Sequence, residues 1–261
     1  MVRRHEGTAF MGGAHVFPGG RVDARDEADD AWCDGIAHAA AQLPGMSRAE
    51  AVAYHVAAAR ELFEEAGVML ARDATGAFVS LAGAADHERF KRARGDVHGG
   101  RVALRTLVES EGLRLALDAL VLFAHWVTPP IDTRQFDTRF FMARVPSQQT
   151  PAHDETETTQ SAWARPSDAI AESLAGGIVL PPPTFTTLRE LEAFATVDEA
   201  LSWARRRRIV RRMPHVLEHD GQRLLLLPGD PLHPDPPGDE QPIETRFVFG
   251  DARWRPERAR P

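Results

Sequence analysis

The chain is poor in cysteine, lysine and long hydrophobic runs. Cys33 is the single cysteine of 261 residues, which excludes an internal disulfide and suits a reducing compartment. No apolar run approaches the ~20 residues that a membrane-spanning helix needs, and the N-terminus shows no signal-peptide pattern. The formal net charge of −7 argues against a general nucleic-acid binder. We therefore expect a cytoplasmic protein that binds neither membranes nor nucleic acid.

The remaining composition is that of an ordinary globular protein. Hydrophobic residues make up 43% and charged residues 26% of the chain, and its length can bury a substantial core. No internal repeat is visible. Lys91 is the only lysine, so the basic charge is almost all arginine.

Three carboxylates are concentrated in one short stretch, ARELFEEAGV, at positions 59–68. Glu64 and Glu65 follow Glu61 by three and four positions, so a helix brings all three onto one face. Like charges at this spacing repel, and a divalent cation would remove that repulsion. Oxygen ligands favour a hard ion, Mg²⁺ or Mn²⁺. The alternative interpretation is a surface helix with a solvated acidic face.

The ends of this helix are also legible in the sequence. Ser47 and Glu50 fit a capping box, in which each side chain satisfies a backbone amide of the other residue. Gly67 fits the left-handed position that follows a last helical turn. These signals predict a helix from about 48 to 66.

The glycine-rich segment FPGG at 17–20, an acidic stretch and the sequence REL-F-EEAGV at 60–68 together resemble the signature of the Nudix hydrolases. That signature is glycine, five residues, glutamate, seven residues, then R-E-U-x-E-E-x-G-U, where U is a bulky aliphatic residue. The second half matches at every specified position. In the first half Asp26 stands six residues after Gly20, and Glu27 follows. A segment of about 28–47 is inserted and must loop out between the two halves.

Further segments resemble one branch, the nucleoside-diphosphate-linked moiety X motif 19 proteins, which are peroxisomal coenzyme A diphosphatases. They are AHVFPGG at 14–20, WVTP at 126–129, FDTRFF at 136–141 and LPGD at 227–230. The resemblance implies hydrolysis of the diphosphate of coenzyme A or acyl-CoA to 3′,5′-ADP and a 4′-phosphopantetheine product. Two features depart from it. Ala9 replaces an arginine of the stricter coenzyme A signature, and the sequence ends without a Ser-Lys-Leu address.

The resemblance also assigns roles to individual residues. Metal ligands are expected among the three clustered carboxylates, and catalytic groups among two of these and one distal carboxylate. The metal set is Glu61, Glu64 and Glu65; the catalytic set is Glu64, Glu65 and Glu155, with Glu157 as the alternative to Glu155. Gly19 and Gly20 are expected to approach a phosphate of the substrate, and Arg60 to bind substrate or to clamp a glutamate. The arginine run 205–208 could hold a 3′-phosphate or form a solvated helix end.

The implied fold class is α/β: a Nudix-type αβα sandwich with a mixed sheet, a box insertion and a mostly helical C-terminal extension. We predict a Nudix core at 1–175 and an extension with terminal hairpins at 176–261. Residues 1–4 predict only the end of the usual first strand, so Met1 could lie downstream of the true start. Strands are predicted at 78–81, 120–127 and 136–145, and hairpins around Asp220-Gly221 and Gly250-Asp251.

Several alternatives stay open from the sequence. Within the class, the substrate could be ADP-ribose, NADH or a nucleotide sugar. The chain could also be a non-catalytic Nudix module that senses a nucleotide, or a helical interaction protein with an accidental acidic helix. The three intact glutamates count against the sensor, and the FPGG segment counts against the interaction protein. A homodimer is possible.

Overall fold

The computed structural model describes residues 1–5, 12–130, 135–150, 158–161, 163–235, 242–251 and 253–257. Two compact units divide the chain. The first comprises Met1–His5, Phe17–Val121 and Phe141–Ala162; the second comprises Glu6–Val16, Leu122–Phe140 and Trp163–Pro261. Within the described ranges no helix is long and apolar enough to cross a membrane.

The described residues form seven α-helices and thirteen short strands. The helices are α1 Ile36–Gln42, α2 Arg48–Ala66, α3 Ala84–His98, α4 Leu104–Ser110, α5 Pro166–Ala175, α6 Pro182–Leu191 and α7 Val197–Arg206. The strands are β1 Val2–Arg4, β2 His15–Val16, β3 Cys33–Asp34, β4 Ala71–Arg72, β5 Arg114–Ala116, β6 Val121–Val127, β7 Asp137–Met142, β8 Thr158–Ser161, β9 Arg211–Arg212, β10 His215–His219, β11 Gln222–Leu226, β12 Arg246–Gly250 and β13 Arg253–Glu257. This mixture confirms the predicted α/β class.

A mixed sheet lies at the centre of the first unit. Strand β5 pairs with β3 in parallel and with β4 in antiparallel orientation, so Leu115 faces both Cys33 and Ala71. Leu115 is fully buried, and helix α2 contributes Phe63 to the same apolar cluster. The N-terminal residues, predicted to be only the end of a strand, form β1, which pairs antiparallel with β8.

The segment inserted in the Nudix box is part of this core. Trp32 and Ile36 are buried in the same cluster as α2. The guanidinium of Arg114 bonds Asp34 and the backbone carbonyls of Ala31 and Cys33. The inserted segment, predicted to loop out between the two halves of the box, packs on this core because burial of its own apolar side chains is favourable.

The second unit is built on antiparallel hairpins. Strands β10 to β13 form one four-stranded sheet in chain order, and strand β6 pairs in parallel with β9. Asp220 and Asp251 have positive φ at the two hairpin turns, as Asp-Gly and Gly-Asp sequences predict. Phe185 of α6 packs edge to face on Phe247 of β12, with ring centroids 5.8 Å apart. Both predicted hairpins are confirmed.

One local expectation differs from the structure. Residues 78–81 do not form a strand, because Val79 donates its amide to Ala71 and Leu81 donates to Gln148, so the segment changes partner after two residues. Residues 86–101 are rich in charge and contain three glycines, and most of them belong to helix α3. The predicted domain boundary near residue 175 remains a prediction.

Candidate active site

Helix α2 is the element on which the candidate site is built. The hydroxyl of Ser47 accepts from the amide of Glu50, and the Glu50 carboxylate accepts from the amide of Ser47, as the capping box predicts. At the other end Gly67 has φ 68° and donates to the carbonyl of Phe63. Glu64 and Glu65 in the last turn are each 8% exposed. The sequence prediction of this helix is thus confirmed at both ends.

Arg60 lies among the carboxylates of Asp26, Glu61 and Glu64, which form the acidic cluster. Its Nε and Nη2 atoms lie 2.8 and 3.1 Å from the two carboxylate oxygens of Asp26. Its Nη1 atom donates to Glu61 at 2.8 Å and to Glu64 at 3.3 Å. Nη2 also donates to the carbonyl of Arg21. Three carboxylates therefore surround one guanidinium, which leaves the cluster with an excess of negative charge.

Burial and charge act in opposite directions on these groups. Burial lowers the pKa of the Arg60 guanidinium, but the carboxylates of Asp26 and Glu61 more than offset this, so the pKa is raised. Burial raises the pKa of Glu61, and Arg60 offsets only part of that rise. A further cation would therefore favour the ionised form of Glu61.

The FPGG segment contacts the acidic face of α2 directly. The amide of Gly19 donates to Oε2 of Glu65 at 3.1 Å. The backbone of Gly20 passes so close to Glu61 that a Cβ at this position would collide with the carboxylate. Only glycine fits there without displacing Glu61. The two parts of the predicted site thus lie together in the first unit.

Asp26 is the residue whose role the sequence left open. It is 1% exposed, and its Oδ2 also accepts the amide of Asp23 at 2.7 Å in a 3₁₀ turn, Ala24–Asp26. With its bidentate contact to Arg60 it takes the glutamate position in the first half of the box. The insertion therefore follows this half of the signature and leaves its contact with the second half intact.

Two residues of α3 were missed by the sequence reasoning. Nε of Arg94 donates to the backbone carbonyl of Glu64 at 2.8 Å, and Nδ1 of His98 lies 3.6 Å from Oε2 of Glu64. The available signal was the spacing of Phe90, Arg94 and Val97, which is that of one buried helical face. Because the charged Arg94 lies between Phe90 and Val97, the sequence does not show an uninterrupted apolar face.

The fit of a metal ion to these residues can be judged from their donors. No three histidine, cysteine, aspartate or glutamate side chains are grouped to hold a metal within the part of the chain that the structure describes. The donor type fits a hard divalent ion, and a single cationic group already bridges Glu61 and Glu64. Glu65 instead accepts from Gly19. The ligand set Glu61, Glu64 and Glu65 therefore suits the ion chemically and remains a prediction.

The remaining predicted site residues are the two distal carboxylates and the arginine run. Glu155 and Glu157 lie outside the described residues. The arginine run 205–208 belongs to the second unit, where Arg207 bonds Glu190 and stacks on Trp203, 4.1 Å from the ring centroid. That pairing occupies the side chain that could otherwise receive a phosphate.

The chemistry of the site follows from its charges and backbone. Buried carboxylates with excess negative charge can bind a divalent cation, and the adjoining glycine backbone can approach a phosphate closely. A cation between carboxylates and a diphosphate lowers the barrier to attack by water on phosphorus. The arrangement thus suits hydrolysis of a phosphoric anhydride.

Comparison with known proteins gives a consistent result. The model of the family described as NUDT19 Nudix domain matches residues 38–191. The chain is 30% identical over 275 residues to the Homo sapiens protein named acyl-coenzyme A diphosphatase NUDT19, covering 89% of this chain and 71% of that protein. The Xenopus laevis protein of the same name is 25% identical over 281 residues, covering 93% of this chain and 74% of the relative.

A solved structure shows the same fold. The crystal structure of a NUDIX hydrolase from Alicyclobacillus acidocaldarius matches with a TM-score of 0.61 and 26% identity, over 77% of this chain and 86% of that chain. The family model spans more than half of the present sequence and contains the acidic helix α2. The chain therefore belongs to the NUDT19 Nudix family and is a Nudix hydrolase.

Proposed function

We propose that this hydrolase cleaves the diphosphate of coenzyme A or an acyl-CoA, releasing 3′,5′-ADP and 4′-phosphopantetheine or its acyl derivative. Its relatives in Homo sapiens and Xenopus laevis are named acyl-coenzyme A diphosphatases. The observation that carries the proposal is the hydrogen bond from the Gly19 amide to Glu65, which joins the glycine segment and the acidic helix in one site.

The chain's own residues have distinct tasks in this proposal. Gly19 and Gly20 let the backbone approach the diphosphate, since neither presents a side chain. Arg60 binds Asp26, Glu61 and Glu64 and thereby fixes the acidic face. With its guanidinium occupied by these carboxylates, Arg60 acts on the substrate through their positions.

Glu61, Glu64 and Glu65 would hold the divalent cation, which we propose to be Mg²⁺ or Mn²⁺. When bound, it would neutralise charge on the diphosphate and make a nearby water more acidic. Glu64 and Glu65 are the proposed catalytic carboxylates, with Glu155 as the distal one. Turnover with Mg²⁺ or Mn²⁺ but not with Zn²⁺ would support the choice of a hard ion; activity with Zn²⁺ alone would overturn it.

The substrate class is tested by incubating the purified protein and Mg²⁺ with coenzyme A, an acyl-CoA, ADP-ribose, NADH and a nucleotide sugar. Mass spectrometry then identifies the fragments. Release of 3′,5′-ADP from coenzyme A or acyl-CoA is the expected result. Cleavage confined to ADP-ribose, NADH or the nucleotide sugar would replace the proposed substrate, and binding without cleavage would favour a sensor.

We also propose that the protein works in the cytoplasm and can form a homodimer. Cys33 is buried, and burial raises its pKa to about 12, so the thiol stays protonated, and the chain has no second cysteine for an internal disulfide. A fluorescent fusion would report the compartment, and analytical ultracentrifugation the mass. Secretion, or a monomer at all concentrations, would contradict the respective proposal.

A further inference from the structure

The carbonyl groups at the end of helix α2 need partners from outside the helix. In any α-helix the last four carbonyls have no amide within the helix from which to accept a hydrogen bond. Here Phe63 has its partner in the amide of Gly67, at 2.9 Å. The next carbonyl, that of Glu64, accepts Nε of Arg94 at 2.8 Å. Gly67 therefore satisfies one carbonyl at the helix end, and Arg94, thirty positions after Glu64, satisfies the next.

Arg94 reaches this carbonyl from the buried face of helix α3. Its side chain is mostly buried, with 9% of the residue exposed. One turn earlier, Phe90 packs edge to face on Phe63, with ring centroids 6.5 Å apart, which fixes α3 against the same turn of α2. A guanidinium at a helix C-terminus is also favoured by the helix dipole.

The turn that Arg94 closes is the one that carries the active carboxylates. Glu64 and Glu65 belong to it, and Glu65 accepts the amide of Gly19 from its other side. A shift of this turn would move both carboxylates relative to the glycine segment. Displacements of about 1 Å, even when caused far from the chemistry, can reduce turnover by about 10²-fold.

We propose that Arg94 is a positioning residue, which holds the last turn of α2 so that Glu64 and Glu65 stay aligned with the Gly19-Gly20 backbone. This inference rests on the proposed function of that site. It differs from a purely structural role, because a residue needed only for stability would leave the folded enzyme's turnover and metal affinity unchanged.

The test compares Arg94→Gln and Arg94→Lys with Arg89→Gln. Arg89 lies on the same helix but is half exposed and pairs with Asp86 and Glu111. We expect Arg94→Gln to lower kcat about tenfold, to weaken Mn²⁺ binding measured by electron paramagnetic resonance about tenfold, and to leave KM unchanged. Lysine keeps the positive charge and can still donate to the carbonyl of Glu64, so Arg94→Lys should recover most of the loss. Arg89→Gln should match the wild type.

A metal-free measurement separates this inference from the proposed function. Hydrogen exchange of the amides at 63–68, without metal or substrate, should be faster in Arg94→Gln than in Arg89→Gln. If the wild type cleaves no member of the substrate panel, the proposed function fails while this exchange difference still tests Arg94. Wild-type exchange, kcat and Mn²⁺ affinity in a folded Arg94→Gln would overturn the inference. So would an Arg94→Lys protein that cannot fold, because Arg94 would then serve the fold alone.

Discussion

The N-terminal end of helix α2 is closed by residues beside it in the chain, whereas its C-terminal end is held by distant ones. Ser47 and Glu50 satisfy each other's amides three positions apart. At the other end, Gly19 binds Glu65 from 46 positions upstream and Arg94 binds Glu64 from 30 positions downstream. Local contacts are sufficient to start a helix, but aligning carboxylates with a loop requires contacts that cross the fold.

If this comparison holds, loss of the buried ion pair between Asp26 and Arg60, which are 34 positions apart, should have the largest effect on stability. Asp26→Ala leaves the mostly buried Arg60 guanidinium without its bidentate partner. Breaking a buried ion pair on one side costs about 3–5 kcal/mol in unfolding free energy. Because Arg60 keeps Glu61 and Glu64, we expect the lower end of that range, measured by urea denaturation.

The matched control is Asp23→Ala, three positions earlier. Arg25 holds the pKa of the Asp23 carboxyl at about 2, yet both side chains are largely exposed. Ion pairs between exposed side chains contribute little to stability because water screens them. Equal losses in the Asp23 and Asp26 variants would show that burial does not distinguish the two carboxylates.

Activity should separate the two ends of α2 most clearly. Glu65→Gln keeps an oxygen that can accept from Gly19, so we expect the fold to survive while turnover falls at least roughly 10²-fold, about 3 kcal/mol. Glu50→Gln makes the same chemical change at the other end and should retain wild-type turnover. Unchanged Mg²⁺-dependent turnover in Glu65→Gln would reject the site assignment.

What the sequence could predict follows the same division between near and distant contacts. The ends of α2 and the turns at Asp220 and Asp251 depend on residues within four positions, and these predictions are confirmed. The pairing of Asp26 with Arg60 crosses an insertion, so the motif could indicate both residues without showing that they meet. Arg94 contacts a backbone carbonyl, and such a contact places no demand on the sequence of its partner.

The failed local prediction has the same cause. Residues 78–81 have the composition of a strand, but their hydrogen bonds go to Ala71 and then to Gln148, which lies far downstream. Helix α3 contains Gly95 and many charges, yet it is stabilised by burying Phe90 and Val97. Tertiary contacts override local preference in both segments.

Midway along α2, His55 couples the stability of the first unit to pH. It is fully buried; Nδ1 bonds the carbonyl of Ala51, and Nε2 lies 3.0 Å from the side-chain nitrogen of Gln42. A neutral ring, with Nε2 accepting from Gln42, satisfies both contacts. Burial lowers the pKa of His55 to about 4, whereas the unfolded chain has a value near 6.5. As the pH falls from 6.5 towards 4, the unfolded state takes up the proton first, so stability is lost across this window.

The expected loss from His55 is about 2 kcal/mol between pH 7 and pH 5, measured by urea denaturation at each pH. His55→Gln should be less stable at pH 7 but show a flatter pH dependence. Some slope should remain, because burial also lowers the pKa of His125 in the second unit to about 4. An unchanged slope in His55→Gln would show that the buried ring is not the group responsible.

The smallest effect should come from the locally closed end of α2. Ser47→Ala removes the hydroxyl that accepts the amide of Glu50, and such capping changes cost about 1 kcal/mol of stability. Because the cap lies about five turns from Glu65 and is exposed, kcat and Mn²⁺ affinity should stay at wild-type values. Thermal unfolding and steady-state kinetics measure both quantities in one preparation. A loss of turnover in Ser47→Ala comparable to that in Arg94→Gln would mean that the helix moves as one rigid rod, and the distinction between its two ends would then be wrong.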